Sequence, residues 1–135
     1  MTNKELIEKA KEMTKRSYVP YSHFHVGAAL LCSDGSVYTG CNIENSAFGV
    51  TICAERVAIF KAVSEGKTDF EKIAIMGGRD GVIEDFCPPC GSCRQVMTEF
   101  GDLKKFKILL ANAEDEIKEY SLEEILPMSF GKERL

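Results

Sequence analysis

A chain of 135 residues with 44% hydrophobic content is long enough for one ordinary domain with a real core. Its formal charge of −4 argues against nucleic acid as a partner, which normally meets a basic face, and favours a small uncharged ligand. No apolar run approaches the ~18 residues that cross a bilayer, and Met1-Thr2-Asn3-Lys4-Glu5 has no signal-peptide core. A cytoplasmic setting without a membrane partner is therefore expected, where six cysteines read as metal ligands or core residues rather than disulfides.

Residues 3–17 alternate charge with Leu6, Ile7, Ala10 and Met13 at helical spacing, which predicts an amphipathic helix capped by Asn3 or Thr2. Pro20 ends any continuation. Val26 to Leu31 reads as a strand buried on both faces, and Asp34-Gly35 is a hairpin signal leading to an extended run from Val37 to Cys41. Asn42 to Gly49 is polar and turn-rich, in a position between strand and helix where binding residues collect. Cys53 to Glu65 predicts a helix apolar around most of its circumference, hence largely buried, and stopped by Gly66. Lys72 to Met76 predicts a short strand bounded by Gly77-Gly78. Pro88-Pro89 introduce a second helix from Cys90 to about Phe100, and Lys105 to Leu110 returns as a strand. Ile117 to Tyr120 is the last strand, followed by a short helix, Leu122 to Leu126, ended by Pro127. Two successive strand-helix-strand units imply a parallel segment with right-handed crossovers. The expected fold is α/β, one domain over residues 1–135: a three-layer α/β/α sandwich with a mixed sheet of about five strands.

The chemistry lies in two stretches, Cys53-Ala54-Glu55-Arg56 and Pro89-Cys90-Gly91-Ser92-Cys93-Arg94. Thiolate is a preferred zinc ligand, and a catalytic zinc keeps three protein ligands so that the fourth position can hold water. Cys53, Cys90 and Cys93 supply three, and Glu55 stands where it can reach that water without ligating the metal. This is the pattern of zinc-dependent base deaminases, with the glutamate as proton shuttle. Both clusters fall at predicted helix starts, whose unpaired N–H groups favour thiolate. Cys90 and Cys93 are three apart and share one side of a turn. Glu55 is two from Cys53, nearly opposite on a regular helix, so Cys53 is expected at the very end of its helix. Three thiolates over-neutralise zinc, and Arg56 and Arg94 are expected to draw charge off the sulfurs by hydrogen bonding.

Blander readings compete. A redox dithiol at Cys90 and Cys93 would want a strand directly before it and has no use for Cys53-Ala54-Glu55. A structural zinc would close with a fourth ligand, for which Cys87 is the obvious choice, although Pro88-Pro89 stiffen its path back to the metal. Cys32 and Cys41 read as small core residues, and His23 and His25 as structural ones. Residues 79–87 receive no role.

Over nearly its whole length the chain resembles the small homotetrameric cytidine deaminases. The resemblance rests on Pro20-Tyr21-Ser22-His23-Phe24, Val26-Gly27-Ala28-Ala29-Leu30, Gly40-Cys41-Asn42-Ile43-Glu44-Asn45, the two cysteine stretches with Gln95-Val96, and Leu126-Pro127 with Phe130-Gly131. It implies hydrolytic deamination of cytidine and 2′-deoxycytidine to uridine and 2′-deoxyuridine, releasing ammonia for pyrimidine salvage, with one Zn2+ per subunit. It implies that Asn42 and Glu44 hold the ribose hydroxyls, that the Ala54 backbone reads the pyrimidine, and that Phe24 lines the pocket. It further implies a tetramer with shared active sites, Phe130 packing on the base from a neighbouring subunit. Phe48 stands where several relatives have tyrosine, so a hydroxyl near the 5′ end of the nucleoside is lost. A deaminase of a related aminopyrimidine and a structural zinc module are the rivals; a polynucleotide deaminase is disfavoured by the acidic, short chain.

Overall fold

The computed structural model describes residues 1–135 and is built around one five-stranded sheet in the order β2-β1-β3-β4-β5. The strands are β1 (Phe24–Cys32), β2 (Val37–Cys41), β3 (Phe70–Arg79), β4 (Lys107–Ala111) and β5 (Ile117–Ser121). The helices are α1 (Asn3–Met13), α2 (Ala54–Ser64), α3 (Gly91–Phe100) and α4 (Leu122–Ile125).

Alternation along the three central strands divides the core into two layers. Leu6, Ile7 and Ala10 of α1 pack on Ala29, Leu31, Ala74, Met76, Leu109 and Ala111. The intervening residues, Ala28, Leu30, Ile73, Ile75, Ile108 and Leu110, face the other way and meet α2 and α3 through Ala58, Ile59, Ala62, Cys93 and Met97. The result is the expected three-layer arrangement. Thr2 caps α1, its hydroxyl accepting from the Glu5 N–H while the Glu5 carboxylate reaches back to the Thr2 N–H.

Three expectations need correcting. The strand at 72–76 does not stop at Gly77-Gly78: β3 runs through both to Arg79, because β1 continues beside it and pairs Val26 with Gly77 and His25 with Gly78. The parallel segment is a single pair, β3 with β4; β3 meets β1 antiparallel, since the chain crosses over β1 on leaving β2. Helix α2 is less enclosed than its composition suggests, leaving Phe60 46% exposed.

Two glycines bring helices unusually close to the sheet. A Cβ at Gly27 would strike the Ala10 carbonyl, and one at Gly40 would strike the Ala54 carbonyl and stand 2.7 Å from the Ala58 nitrogen. Gly40 thus lets the first turn of α2 lie directly on β2. Replacing Gly40 with alanine should destabilise the fold by about 1–3 kcal/mol through overpacking, whereas Gly49→Ala, where a Cβ meets open space, should be nearly neutral. Denaturant melts of the two variants measure the difference, and equal midpoints would contradict the close contact.

Candidate active site

The first turn of α2, the first turn of α3 and the adjoining ends of β1, β2 and β3 lie at one end of the strands, the side where open α/β sheets bind ligands. Cys53 is the N-cap residue of α2 and Cys90 the N-cap residue of α3, both with extended backbone. Neither sulfur caps its own helix, so both are free for another partner. This N-cap placement resolves the geometry of Glu55, because Cys53 lies just outside the helical spiral.

The ligand atoms of Cys53, Cys90 and Cys93 all lie within 4.8 Å of one another. Cys53 Sγ is 3.8 Å from Cys90 Sγ, which is 3.6 Å from Cys93 Sγ. Zinc–sulfur bonds of about 2.3 Å in a tetrahedron put sulfur atoms about 3.8 Å apart, so two of the three spacings match that ion and all three lie within 4.8 Å. Cys87 is not part of the cluster.

Hydrogen bonding shifts Cys53 and Cys93 in opposite directions. The bond from Cys93 is the largest cause that draws Cys53 down to about 5, with Arg56 and Cys90 adding to it against the cost of burial. Cys93 is correspondingly pushed up by the bond it shares with Cys53 and then by burial. Arg56 Nη2 donates to Cys53 Sγ at 3.4 Å, while its buried Nε has no partner and keeps a further positive edge at the cluster. Arg94 does not match its expected role. Its Nε donates to the Pro89 carbonyl at 2.8 Å and its Nη1 to the Ile125 carbonyl at 2.6 Å, so it ties α3 to the loop before it and to the end of α4 instead of touching sulfur.

Glu55 is 4% exposed. Burial pushes its carboxyl up to about 7, the neighbouring Cys53 charge pushes the same way, and its own backbone N–H, Cys93 and Arg56 pull against them. A carboxyl poised near neutrality beside a metal-fitting thiol cluster can accept and return protons.

Two polar side chains of the segment after β2 hold the chain that enters β1. Asn42 Oδ1 accepts from the Val26 N–H at 3.0 Å and Nδ2 donates to the Phe24 carbonyl at 2.8 Å, leaving one lone pair and one N–H for a ligand. Glu44 is buried, with Oε1 accepting from the Tyr21 and Ser22 N–H groups, both at 3.1 Å. His23, at φ 60°, turns the chain into β1 between them. Ala54 is fully buried at the start of α2, and Phe24 stands partly exposed at the start of β1. Phe48 and Phe130 are 67% and 61% exposed and do not join the cluster. Ser22 and Gly40 are contributors that sequence reasoning passed over; the Gly40-Cys41-Asn42 run placed Gly40 near the site without revealing the helix contact behind it.

The model for the cytidine and deoxycytidylate deaminase zinc-binding region matches residues 1–110. The chain belongs to the cytidine deaminase family. Similar members include the cytidine deaminase of Sporosarcina psychrophila, 45% identical over all of this chain and 96% of its own length. That of Halalkalibacterium halodurans is 46% identical over 98% of this chain and 97% of its own. The crystal structure of cytidine deaminase from Burkholderia pseudomallei superposes with a TM-score of 0.87 at 41% identity, covering 96% of this chain and 100% of that one.

Glu44 gives a pH signature. The Ser22 hydroxyl is the largest cause holding its carboxyl below the usual 4.5, with the Ser22 and Tyr21 backbone N–H groups adding to it. A depressed folded pKa stabilises the fold fully above the unfolded value and loses that contribution as pH falls through the folded one. Acid melts should therefore show wild type losing stability below pH 4.5, with the Glu44→Gln variant showing a shallower decline over the same range. Identical acid limbs would contradict the ionised carboxylate.

Proposed function

We propose that this chain hydrolytically deaminates cytidine and 2′-deoxycytidine to the corresponding uridines, releasing ammonia, as a cytoplasmic enzyme of pyrimidine salvage. The observation that carries the proposal is the pairing of three clustered sulfurs, two of their spacings matching a tetrahedral zinc site, with a buried carboxyl whose proton affinity is raised to about 7. The names borne by close relatives supply the nucleoside.

In this reading Cys53, Cys90 and Cys93 hold one Zn2+ per subunit, and Arg56 offsets the surplus negative charge of three thiolates. Bound zinc supplies a Lewis acid that makes water nucleophilic near neutral pH. Glu55 takes a proton from the attacking water, gives one to the ring nitrogen of the base, and later passes one to the departing amine. Its burial removes competing solvent and raises its proton affinity toward neutral pH. Asn42 and the uncommitted oxygen of Glu44 take the ribose hydroxyls, the Ala54 backbone reads the pyrimidine edge, and Phe24 forms one wall. Phe48 contributes ring surface without a hydroxyl. An ultraviolet assay should show cytidine converted to uridine, and Glu55→Gln should cost at least ~1000-fold in kcat while zinc content stays at one per chain. Loss of metal together with activity would instead mark a structural site.

The assembly is part of the same proposal. Tyr18, Tyr21, Ile43, Phe48, Val50 and Phe130 are exposed, an apolar surface that a homotetramer would cover. The Phe130 carbonyl accepts from Gln95 Nε2 at 2.7 Å, which anchors its backbone, and its ring is 61% exposed and free to enter a neighbour's pocket. Light scattering should give the mass of four chains, and Phe130→Ala should raise KM for cytidine roughly tenfold with the tetramer intact. A fully active monomer would contradict the shared pocket.

A further inference from the structure

Residues 77–87 carry no recognisable motif, yet they press on the pocket wall. On β3, Gly77 lies opposite Val26 and Arg79 opposite Phe24. A Cβ at position 77 would stand 2.7 Å from Cys87 Sγ, 3.1 Å from Phe24 Cε1 and 3.2 Å from Cys87 Cβ. The Gly77 backbone does not enter the left-handed region, so the glycine is required for space and not for conformational freedom. Cys87 is half-buried against the core layer beneath α2 and α3. Burial first, then the charges of Glu55 and Cys53, push its thiol up to about 12, so it stays neutral and behaves as a small apolar wedge.

The turn that delivers Phe24 is fastened to the same end of β3. The Asp80 N–H donates to the His23 carbonyl at 2.7 Å, and Arg79 Nη1 donates to the Ser22 carbonyl at 3.3 Å. The backbone of Phe24 is thereby held, and the remaining freedom is the tilt of its ring, which Gly77 and Cys87 limit from behind.

We propose that Gly77 and Cys87 are positioning residues that fix the Phe24 ring and so set the width of the slot that receives the base. This rests on Phe24 facing the nucleoside, as described above. Because the missing Cβ and the sulfur compete for one space, Gly77→Ala and Cys87→Ala are complementary changes: one adds the volume that the other removes.

The test is a double-mutant cycle on the zinc-loaded enzyme, reading KM and kcat for cytidine, zinc content and melting temperature, with Phe24→Ala alongside. Gly77→Ala should raise KM roughly tenfold and Cys87→Ala roughly threefold, with kcat and zinc content changed less than about twofold. The double variant should fall below Gly77→Ala in KM, and its loss of melting temperature should be smaller than the sum of the two single losses. Additive effects, or kcat and KM falling off together with metal loss, would overturn the proposal. If Gly77→Ala alone does not fold, a folded double variant with KM near that of Cys87→Ala supports it and an unfolded double variant overturns it. An unchanged KM in Phe24→Ala would refute the placement of Phe24 at the nucleoside, and the melting temperatures would still show whether residues 77 and 87 share one space.

Discussion

Two helix N-termini must come within reach of one ion, and the packing of this chain is arranged around that requirement. Cys53 and Cys90 each occupy the N-cap position of a helix, and Cys93 returns one turn later on the second. The sheet sets the distance between them. Gly40 lets α2 lie directly on β2, Ala58, Ile59 and Ala62 seat it on the central strands, and Cys93 and Met97 seat α3 beside it. Cys93 is therefore both a core residue and a proposed ligand, which couples metal binding to the integrity of the core.

The electrostatics follow from placing negative groups where helix ends favour them and solvent is scarce. The Cys53 thiol is stabilised as thiolate by Cys93 and Arg56, while Glu55, in the first turn of α2 and almost fully enclosed, has its proton affinity raised to about 7 by burial and by that same negative charge. One environment thus lowers one acid and raises another two residues along the chain, which suits the proposed division of work between metal ligand and proton carrier. Arg56 is common to both, since its guanidinium favours the thiolate and moderates the rise at Glu55. Arg94, which looks equivalent in sequence, donates to the carbonyls of Pro89 and Ile125 and so fastens α3 to the loop before it and to α4.

The elements with a strong local signal were legible in the sequence. The capped helix at the N-terminus, the Asp34-Gly35 hairpin, the two helices opening at Cys53 and Cys90, and the cysteine spacing all come from short-range chemistry, and each lies within a few residues of its expected place. Pairing is a long-range property, which is why β3 was expected to stop at Gly77-Gly78: glycine usually punctuates a strand, but here β1 supplies hydrogen bonds on one side while Cys87 and Phe24 occupy the space above Gly77. The partners of Arg94 and the seat of Cys87 were illegible for the same reason, each depending on carbonyls or rings distant in sequence. Nor did any spacing rule reveal that Glu44 holds the turn at Tyr21 and Ser22.

The central claim is that three sulfurs and no fourth protein group hold the metal, so that one position stays open to solvent. X-ray absorption at the zinc edge on the loaded enzyme reads this directly. The account predicts three sulfur neighbours at about 2.3 Å and one lighter neighbour. A shell of four sulfurs, or of fewer than three, would contradict it.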